Sequence, residues 1–299
     1  MSEAGSACVV CGHAPLAPHL HVQASEGHSL VATTTSYGAA PDDIVRCTVC
    51  GHMQVASFPE TAQLDSEYGD VDEAAYVEEE TGQRATAARV LERIERHTPP
   101  ARLCDLGCWV GFLPSEAERR GWQARGAEPS RFASRYARDQ LGLDVVTGTM
   151  DAPELDGAQF DAVFLGDVIE HLPEPPAALD RIRSLLAPGG VLCLALPDAG
   201  SRIARVLGAR WWSVLPTHVQ YFTRRSMARL LTDNGFTVEW IGTAPKGFTV
   251  RYYLTRLEGY SAAVAGAAVR VAEALGLADR LVWPDFRDRM LVVARRVDT

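Results

Sequence analysis

Basic charge is scarce in this chain, and almost all of it is arginine: Lys246 is the only lysine, and 29 Lys and Arg face 38 Asp and Glu for a net charge of −9. That balance argues against a nucleic-acid partner, because such binders present a basic face. Long apolar runs are also missing. No stretch of about 18 uninterrupted apolar residues occurs, so no membrane span is expected. The segment MSEAGSACVVCGHAP lacks a basic region followed by an apolar core, so no secretory signal is expected and the location read is cytoplasmic. Seven cysteines in a reducing compartment fit metal ligation better than a disulfide framework. With 47% apolar residues over 299, the chain has enough core material for one large domain and a small one.

Four of those cysteines fall in two matching knuckles, Cys8-Val9-Val10-Cys11-Gly12-His13 and Cys47-Thr48-Val49-Cys50-Gly51-His52. A two-residue spacer lets both thiolates of a tight turn face one ion, and the glycine that follows relieves the backbone. Cys8, Cys11, Cys47 and Cys50 are therefore expected to hold a structural zinc ion tetrahedrally, with His13 and His52 outside its shell. A closed site does no chemistry; its role is to fold residues 1–58 as a zinc ribbon. Between the knuckles there is one arginine, Arg46, and no lysine, which disfavours a nucleic-acid-binding ribbon.

Residues 59–98 read as a linker or lid and a helix. The stretch from Phe58 to Gly82 is acidic and carries Tyr68 and Tyr76. Its plain reading is a solvated linker, and its functional reading a lid that brings Tyr68 or Tyr76 onto cofactor or acceptor. Arg84 to His97 has helical apolar spacing and stops at Pro99-Pro100.

Beyond Pro100 strands and helices alternate, which calls for a mostly parallel sheet covered on both faces. The first strand breaks into a glycine turn within RLCDLGCWVGFLPSE (Arg102 to Glu116). Asp105, Gly107 and Gly111 there allow the backbone close approach to a ligand at a strand's carboxyl end. Glu128, at the tip of the second strand, lies where doubly wound folds grip ribose hydroxyls. Phe160 to Leu165 is a further strand, opening into Gly166-Asp167-Val168-Ile169-Glu170-His171-Leu172, and Val191 to Leu196 is the fifth. No third glycine follows GCWVG, so the pyrophosphate-binding fingerprint of nicotinamide enzymes is absent.

Over roughly Ala101 to Thr243, and again at the last strand, the chain resembles the class I S-adenosylmethionine-dependent methyltransferases. DLGCWVG is similar to their first motif, with Trp109 where glycine is commoner; GAEPS resembles the second; GTMDAPEL, FDAVFLGDVIEHLPEP and LLAPGGVLCLALPD resemble the later ones. The resemblance implies an α/β, Rossmann-like seven-stranded methyltransferase sheet over residues 99–299. It places Asp105, Gly107 and Gly111 around the methionine part of the cofactor, Glu128 on the ribose, and Met150 and Asp151 beside the adenine. Gly166 and Asp167 fall beneath the sulfonium. The four-cysteine ribbon and the aromatic segment Ala209 to Phe222 are similar to a subgroup that modifies sugars, polysaccharides and natural products.

Residues 245–288 exceed the hairpin such a sheet needs before its last strand, Arg289 to Arg296, and read as a helical insertion packed on the core or on a second copy in a homodimer, with a wall of the acceptor pocket as the alternative and a membrane-surface helix disfavoured by its few basic residues. Methyl transfer is an in-line displacement, so the enzyme aligns an acceptor lone pair with the methyl carbon and excludes water. A hydroxyl acceptor also benefits from a base. His218 and His171 are the candidates, with Asp167 and Glu170 as groups that orient them, and Trp212 and Tyr221 join Tyr76 as acceptor contacts. The expected reaction is methylation of a hydroxyl on a small molecule or glycan. Carbon or nitrogen methylation of a sugar nucleotide or secondary metabolite, an RNA base methyltransferase with a basic channel, and a non-catalytic cofactor-binding scaffold are the alternatives.

Overall fold

The computed structural model describes residues 7–24, 36–59 and 79–298. Tyr68 and Tyr76, with most of the expected lid, lie outside the described residues. The two cysteine knuckles share one backbone pattern: Cys8 N–H donates to the His13 carbonyl at 2.9 Å, and Cys47 N–H to the His52 carbonyl at 2.8 Å. Gly12 and Gly51 close them at φ of +69° and +77°, a conformation a side chain disfavours. Strands β1 (Ala17–Leu20), β2 (Gln23–Ala24), β3 (Ala39–Ala40), β4 (Ile44–Arg46) and β5 (Met53–Val55) follow. β1, β4 and β5 pair antiparallel as a ribbon, and β2 pairs with β3.

Helix α1 (Glu80–Ile94) buries Ala87, Val90, Leu91 and Ile94, one face at i, i+3, i+4, i+7 spacing. It begins at Glu80, ahead of the expected Arg84, where Glu80 pairs with Arg84 at 2.6 Å. Gly82 there packs so tightly on Gly247 that a Cβ would lie 2.3 Å from its carbonyl oxygen. The alternating region then reads β6 (Arg102–Leu106), α2 (Phe112–Arg119), β7 (Gln123–Glu128), α3 (Arg131–Leu141), β8 (Asp144–Thr147), β9 (Phe160–Gly166), α4 (Pro175–Leu185) and β10 (Leu186–Pro197). β10 starts earlier than the expected Val191, because Leu186 already pairs with Phe160 and a bulge absorbs Pro188-Gly189-Gly190. Last come α5 (Arg202–Leu207), β11 (Gln220–Tyr221), α6 (Arg224–Asp233), β12 (Phe236–Thr243), β13 (Phe248–Thr249), α7 (Val250–Thr255), α8 (Ala262–Ala274), β14 (Leu281–Val282) and β15 (Arg289–Arg296).

Seven strands form the main sheet in the order β12-β15-β10-β9-β6-β7-β8. Only β15 runs against its neighbours, β10 and β12. β9 and β10 are nearly continuous apolar runs because helices cover both faces. The chain steps outward from β6 to β7 and β8, then returns to the other side of β6 for β9 and β10. That reversal opens a crevice at the carboxyl ends of β6 and β9, the place where open α/β sheets bind ligands. No helix among the described residues is long and apolar enough to cross a membrane.

The ribbon is not a separate bead. β11, from the carboxyl-terminal third, pairs with β5 through Gln220↔Gln54 and Tyr221↔Met53, making one four-stranded sheet β1-β4-β5-β11. His52 Nε2 lies 2.9 Å from Gln220 Oε1, and the Gln220 amide donates onward to the Leu172 and Pro173 carbonyls at 3.2 Å. The carbonyl acceptors fix the amide's orientation, so the buried His52 is the donor. One glutamine thus ties the ribbon to the loop after β9.

Candidate active site

Two adjoining cavities of about 400 and 800 Å³ occupy the crevice, and Gly107, Trp109, Gly166, Asp167, Lys246 and Arg289 border both. Asp105 lines the smaller one; Glu128, Met150, His171, Trp212 and His218 line the larger. At Gly107, with φ +79°, a Cβ would stand 2.5 Å from Val168 Cγ2. Gly111, at φ +87°, caps α2 and packs on Ala137 and Leu143 behind the cavity wall. Gly107→Ala is therefore expected to strain backbone and loop together, lowering the melting temperature by several degrees; an unchanged melt would contradict the close approach.

Glu128 is buried, and its two oxygens accept from Trp109 N–H and Ser130 N–H, each at 2.8 Å. Burial pushes its pKa up to about 7, although those two amides pull it down. Asp105 is pushed well above the carboxylate range by burial and then by Glu128, and its Oδ1 has no hydrogen-bond partner among the described residues. Two adjoining cavities that share the Gly107 turn, one lined by an unsatisfied buried carboxyl and the other by a second carboxylate, suit a ligand with an ammonium and a pair of hydroxyls. S-adenosylmethionine is such a ligand, and the donor set fits it. Met150 adds an apolar wall. Asp151 points elsewhere: its side chain is exposed and lies 3.7 Å from Arg181.

Trp109 and Asp167 are non-glycine residues held at φ +49° and +56°, at a cost of roughly 1–2 kcal/mol each. Both stand where the cavities meet. The Trp109 ring packs with Val110, Phe112 and Ala133 while also bordering the cavities. Asp167 is clamped by Lys246 at 2.5 Å and by Arg289. Burial alone would raise its pKa, but the two cations hold it below the ordinary range. Lys246 and Arg289 went unassigned in the sequence, although Lys246 stood out as the only lysine.

His171 and His218 meet edge to face, ring centroids 4.7 Å apart. Each Nδ1 lies 2.9 Å from a backbone carbonyl, of Thr217 and of Ser213 respectively. A carbonyl only accepts, so the Nδ1 of His218 carries the proton and its Nε2 keeps its lone pair, while His171 has a further hydrogen bond with the Asp167 backbone. Burial depresses both rings, His218 to about 3 with His171 as the second cause. Backbone carbonyls hold both rings, and the Asp167 charge acts on each of them as well. Tyr221 is buried, and its hydroxyl donates to the His218 carbonyl at 3.1 Å, which puts it behind the histidine rather than on the cavity wall.

Away from this crevice, the sulfurs of Cys8 and Cys50 lie 3.5 Å apart and those of Cys11 and Cys47 3.6 Å. All four lie within 4.8 Å of one another. Thiolates at about 2.3 Å from one ion stand roughly 3.8 Å apart in a tetrahedron, so the cluster fits a four-thiolate metal centre.

A protein-family profile described as a methyltransferase domain matches residues 79–240. The ubiquinone biosynthesis O-methyltransferase of Parvibaculum lavamentivorans is 29% identical over 199 residues, 61% of this chain and 76% of that protein. Its counterpart in Psychrobacter arcticus is 30% identical over 172 residues, 52% and 66% of the two chains. The counterpart in Cereibacter sphaeroides is 33% identical over 127 residues, so the chain spans about half of that relative's length, 51%. Among solved structures, the Burkholderia thailandensis 1,6-didemethyltoxoflavin-N1-methyltransferase, with bound substrate and S-adenosylhomocysteine, aligns with a TM-score of 0.51 at 17% identity, over 84% of this chain and 97% of that one. At that identity the likeness speaks for the fold alone. Sheet order, crevice and the matched profile agree: the chain belongs to the methyltransferase-domain family and is an S-adenosylmethionine-dependent methyltransferase.

Proposed function

We propose that the chain methylates a hydroxyl of a small molecule, a sugar or natural product, seated in the larger cavity. The observation that carries this reading is that Glu128 and the His171–His218 pair border one continuous space. S-adenosylmethionine supplies, when bound, an electrophilic methyl on a sulfonium. Asp105 takes its ammonium, Gly107 gives it room with Gly111 setting the turn behind the wall, Glu128 takes the ribose hydroxyls, and Met150 with the Asp151 backbone flanks the adenine. Gly166 and Asp167 lie under the reacting end, where Lys246 and Arg289 lock Asp167 in place. His218 Nε2 receives the acceptor's hydroxyl proton, and Trp212 and the insertion's Tyr252, Tyr253 and Tyr260 pack on the acceptor's ring faces. The cysteine cluster holds zinc, and residues 1–58, 59–98 and 99–299 serve as ribbon, connecting segment and catalytic domain. The test is methylation of a hydroxyl-bearing panel, with products located by fragmentation mass spectrometry; transfer only to carbon or nitrogen would replace this reading.

Glu128 gives the reading a pH signature. Free in the fold it titrates at about 7 rather than 4.5, with Asp105 and Cys108 as the titratable groups it faces. A raised carboxyl contributes stability in full below pH 4.5 and loses it as pH rises through 7, so the free protein weakens over that window. Hydroxyl donors favour the ionised form, so cofactor binding releases a proton near neutrality. Affinity for S-adenosylhomocysteine is expected to drop by up to about tenfold per pH unit below 7, and Glu128→Gln to flatten the profile. Calorimetry in buffers of different ionisation enthalpy checks both; a flat wild-type profile would remove Glu128 from the ribose.

A further inference from the structure

The aromatic lining of the larger cavity comes from three stretches far apart in the chain. Tyr37 belongs to residues 1–58, Trp212 follows α5, and Tyr252, Tyr260 and Phe286 belong to the insertion. The ring centroids of Tyr37 and Tyr260 stand 5.2 Å apart at 40° between planes, and those of Trp212 and Phe286 5.6 Å apart at 61°. Backbone contacts hold Tyr37 in place. Its neighbour Gly38 donates its N–H to the Val214 carbonyl at 3.0 Å and sits at φ +84°, where a Cβ would stand 3.1 Å from the Ala209 carbonyl oxygen.

The polar tips of this lining are bonded back to the protein. The Tyr260 hydroxyl donates to the Arg210 carbonyl at 2.8 Å, the Tyr253 hydroxyl to the Lys246 carbonyl at 2.6 Å, and Trp212 Nε1–H to the Asp288 carboxylate at 2.7 Å. Ring surface is what these residues offer a ligand. Phe286 and Tyr260 are 53% and 41% exposed, apolar area that a bound molecule would take from water.

Charge points the same way. Among the described residues that line the cavity, the cations Lys246, Arg256 and Arg289 face the carboxylates of Glu128, Asp167, Asp285 and Asp288, which leaves one negative charge over when all are ionised. Lys246 and Arg289 both engage Asp167, and the Arg256 guanidinium lies over the Tyr252 ring, 4.6 Å from its centroid. A phosphate or carboxylate entering here would have to break those contacts or lie unpaired, and either is costly.

We propose that Tyr37 of the ribbon, with Trp212 and the insertion's Tyr260 and Phe286, clasps an uncharged planar ring system, so that the acceptor is a hydroxylated aromatic molecule rather than a free sugar or a sugar nucleotide. The inference rests on the reading that seats the acceptor in the larger cavity, and narrows its class. Flat rings pack offset or edge-on against aromatic side chains. A sugar carries hydroxyls all round that need polar partners when buried, and the bonded tips of Tyr253, Tyr260 and Trp212 do not supply them. The ribbon thereby takes a share in choosing the acceptor, beyond holding the loop after β9.

The test is equilibrium dialysis of the full-length protein, saturated with S-adenosylhomocysteine, against 2-naphthol, 2-naphthyl phosphate and methyl glucoside. 2-Naphthol is expected to bind at least about tenfold more tightly than either of the others. Tyr37→Ala and Phe286→Ala should each weaken it by about two- to tenfold, the share of one aromatic contact, and Tyr37→Phe should leave it unchanged. S-adenosylhomocysteine affinity, retained in all three, is the check on folding. Equal binding of the phosphate or the glucoside overturns the acceptor class, and unchanged naphthol affinity in Tyr37→Ala overturns the ribbon's part in the clasp. Naphthol bound as expected with no hydroxyl of any acceptor methylated would keep the clasp and sink the hydroxyl reading. Hydroxyl methylation confined to sugars would keep that reading and sink the clasp.

Discussion

His218→Ala is expected to bind S-adenosylhomocysteine as wild type does and to lose roughly 10²–10⁴-fold in turnover, the range a positioned acid–base group contributes. The division follows from geometry. In the proposed reading Glu128, Met150 and Gly107 serve the cofactor, whereas His218 stands against His171 and serves the acceptor. The substitution also strips the Ser213 carbonyl of its partner, so a loss of about 1–3 kcal/mol in stability accompanies it. A merely structural histidine would show that melting shift with turnover per folded molecule intact. Because Tyr221 bonds the His218 backbone rather than its ring, its hold on the loop survives the change. Single-turnover rates set beside cofactor affinity separate the two roles, and a full rate would remove His218 from the reaction.

Removing the zinc proposed for the cysteine cluster is expected to disable turnover more than cofactor binding. Four thiolates hold together segments with little core of their own, and structural zinc in such sites supplies folding energy outright. The consequence travels through β5 and β11. When the knuckles open, the Gln54–Gln220 pairing and the His52–Gln220 contact lose their support, and Gln220 is the group that holds the Leu172 and Pro173 carbonyls. The turn carrying Glu170 and His171 then loosens, while β6, β7 and their glycine turn belong to a different sheet from the ribbon strands. Cys50→Ser should therefore release zinc, lower the melting temperature and cut turnover at least about tenfold, the loss expected when supporting groups around a site are removed. S-adenosylhomocysteine affinity should change far less. Chromogenic zinc release measured beside turnover checks this; full activity in the zinc-free protein would show that the ribbon does not position the loop.

Much of this arrangement is legible in the sequence because it rests on local rules. Glycine spacing, apolar runs of strand length and the CxxCG repeat each encode a structure a few residues long. The seven strands, the two knuckles and the site-bearing ends of β6, β7 and β9 follow from them. What the sequence hides is pairing between distant segments. Gln220–Tyr221 is too short a strand to announce itself, and nothing in its pattern points to Met53 and Gln54. Lys246 and Arg289 meet at Asp167 only because the insertion folds back and β15 enters the sheet between β10 and β12. The orientation of the histidines escaped for a related reason: backbone carbonyls hold them, and every residue has one.

Incubation with S-adenosylmethionine bearing a trideuterated methyl, across a panel of hydroxylated sugars and aromatic natural-product precursors, tests the central claim most directly. The account predicts S-adenosylhomocysteine released one for one with a product carrying the label on oxygen, and none of that product from His218→Ala. Label on carbon or nitrogen, or no S-adenosylhomocysteine formed with any acceptor, would contradict it.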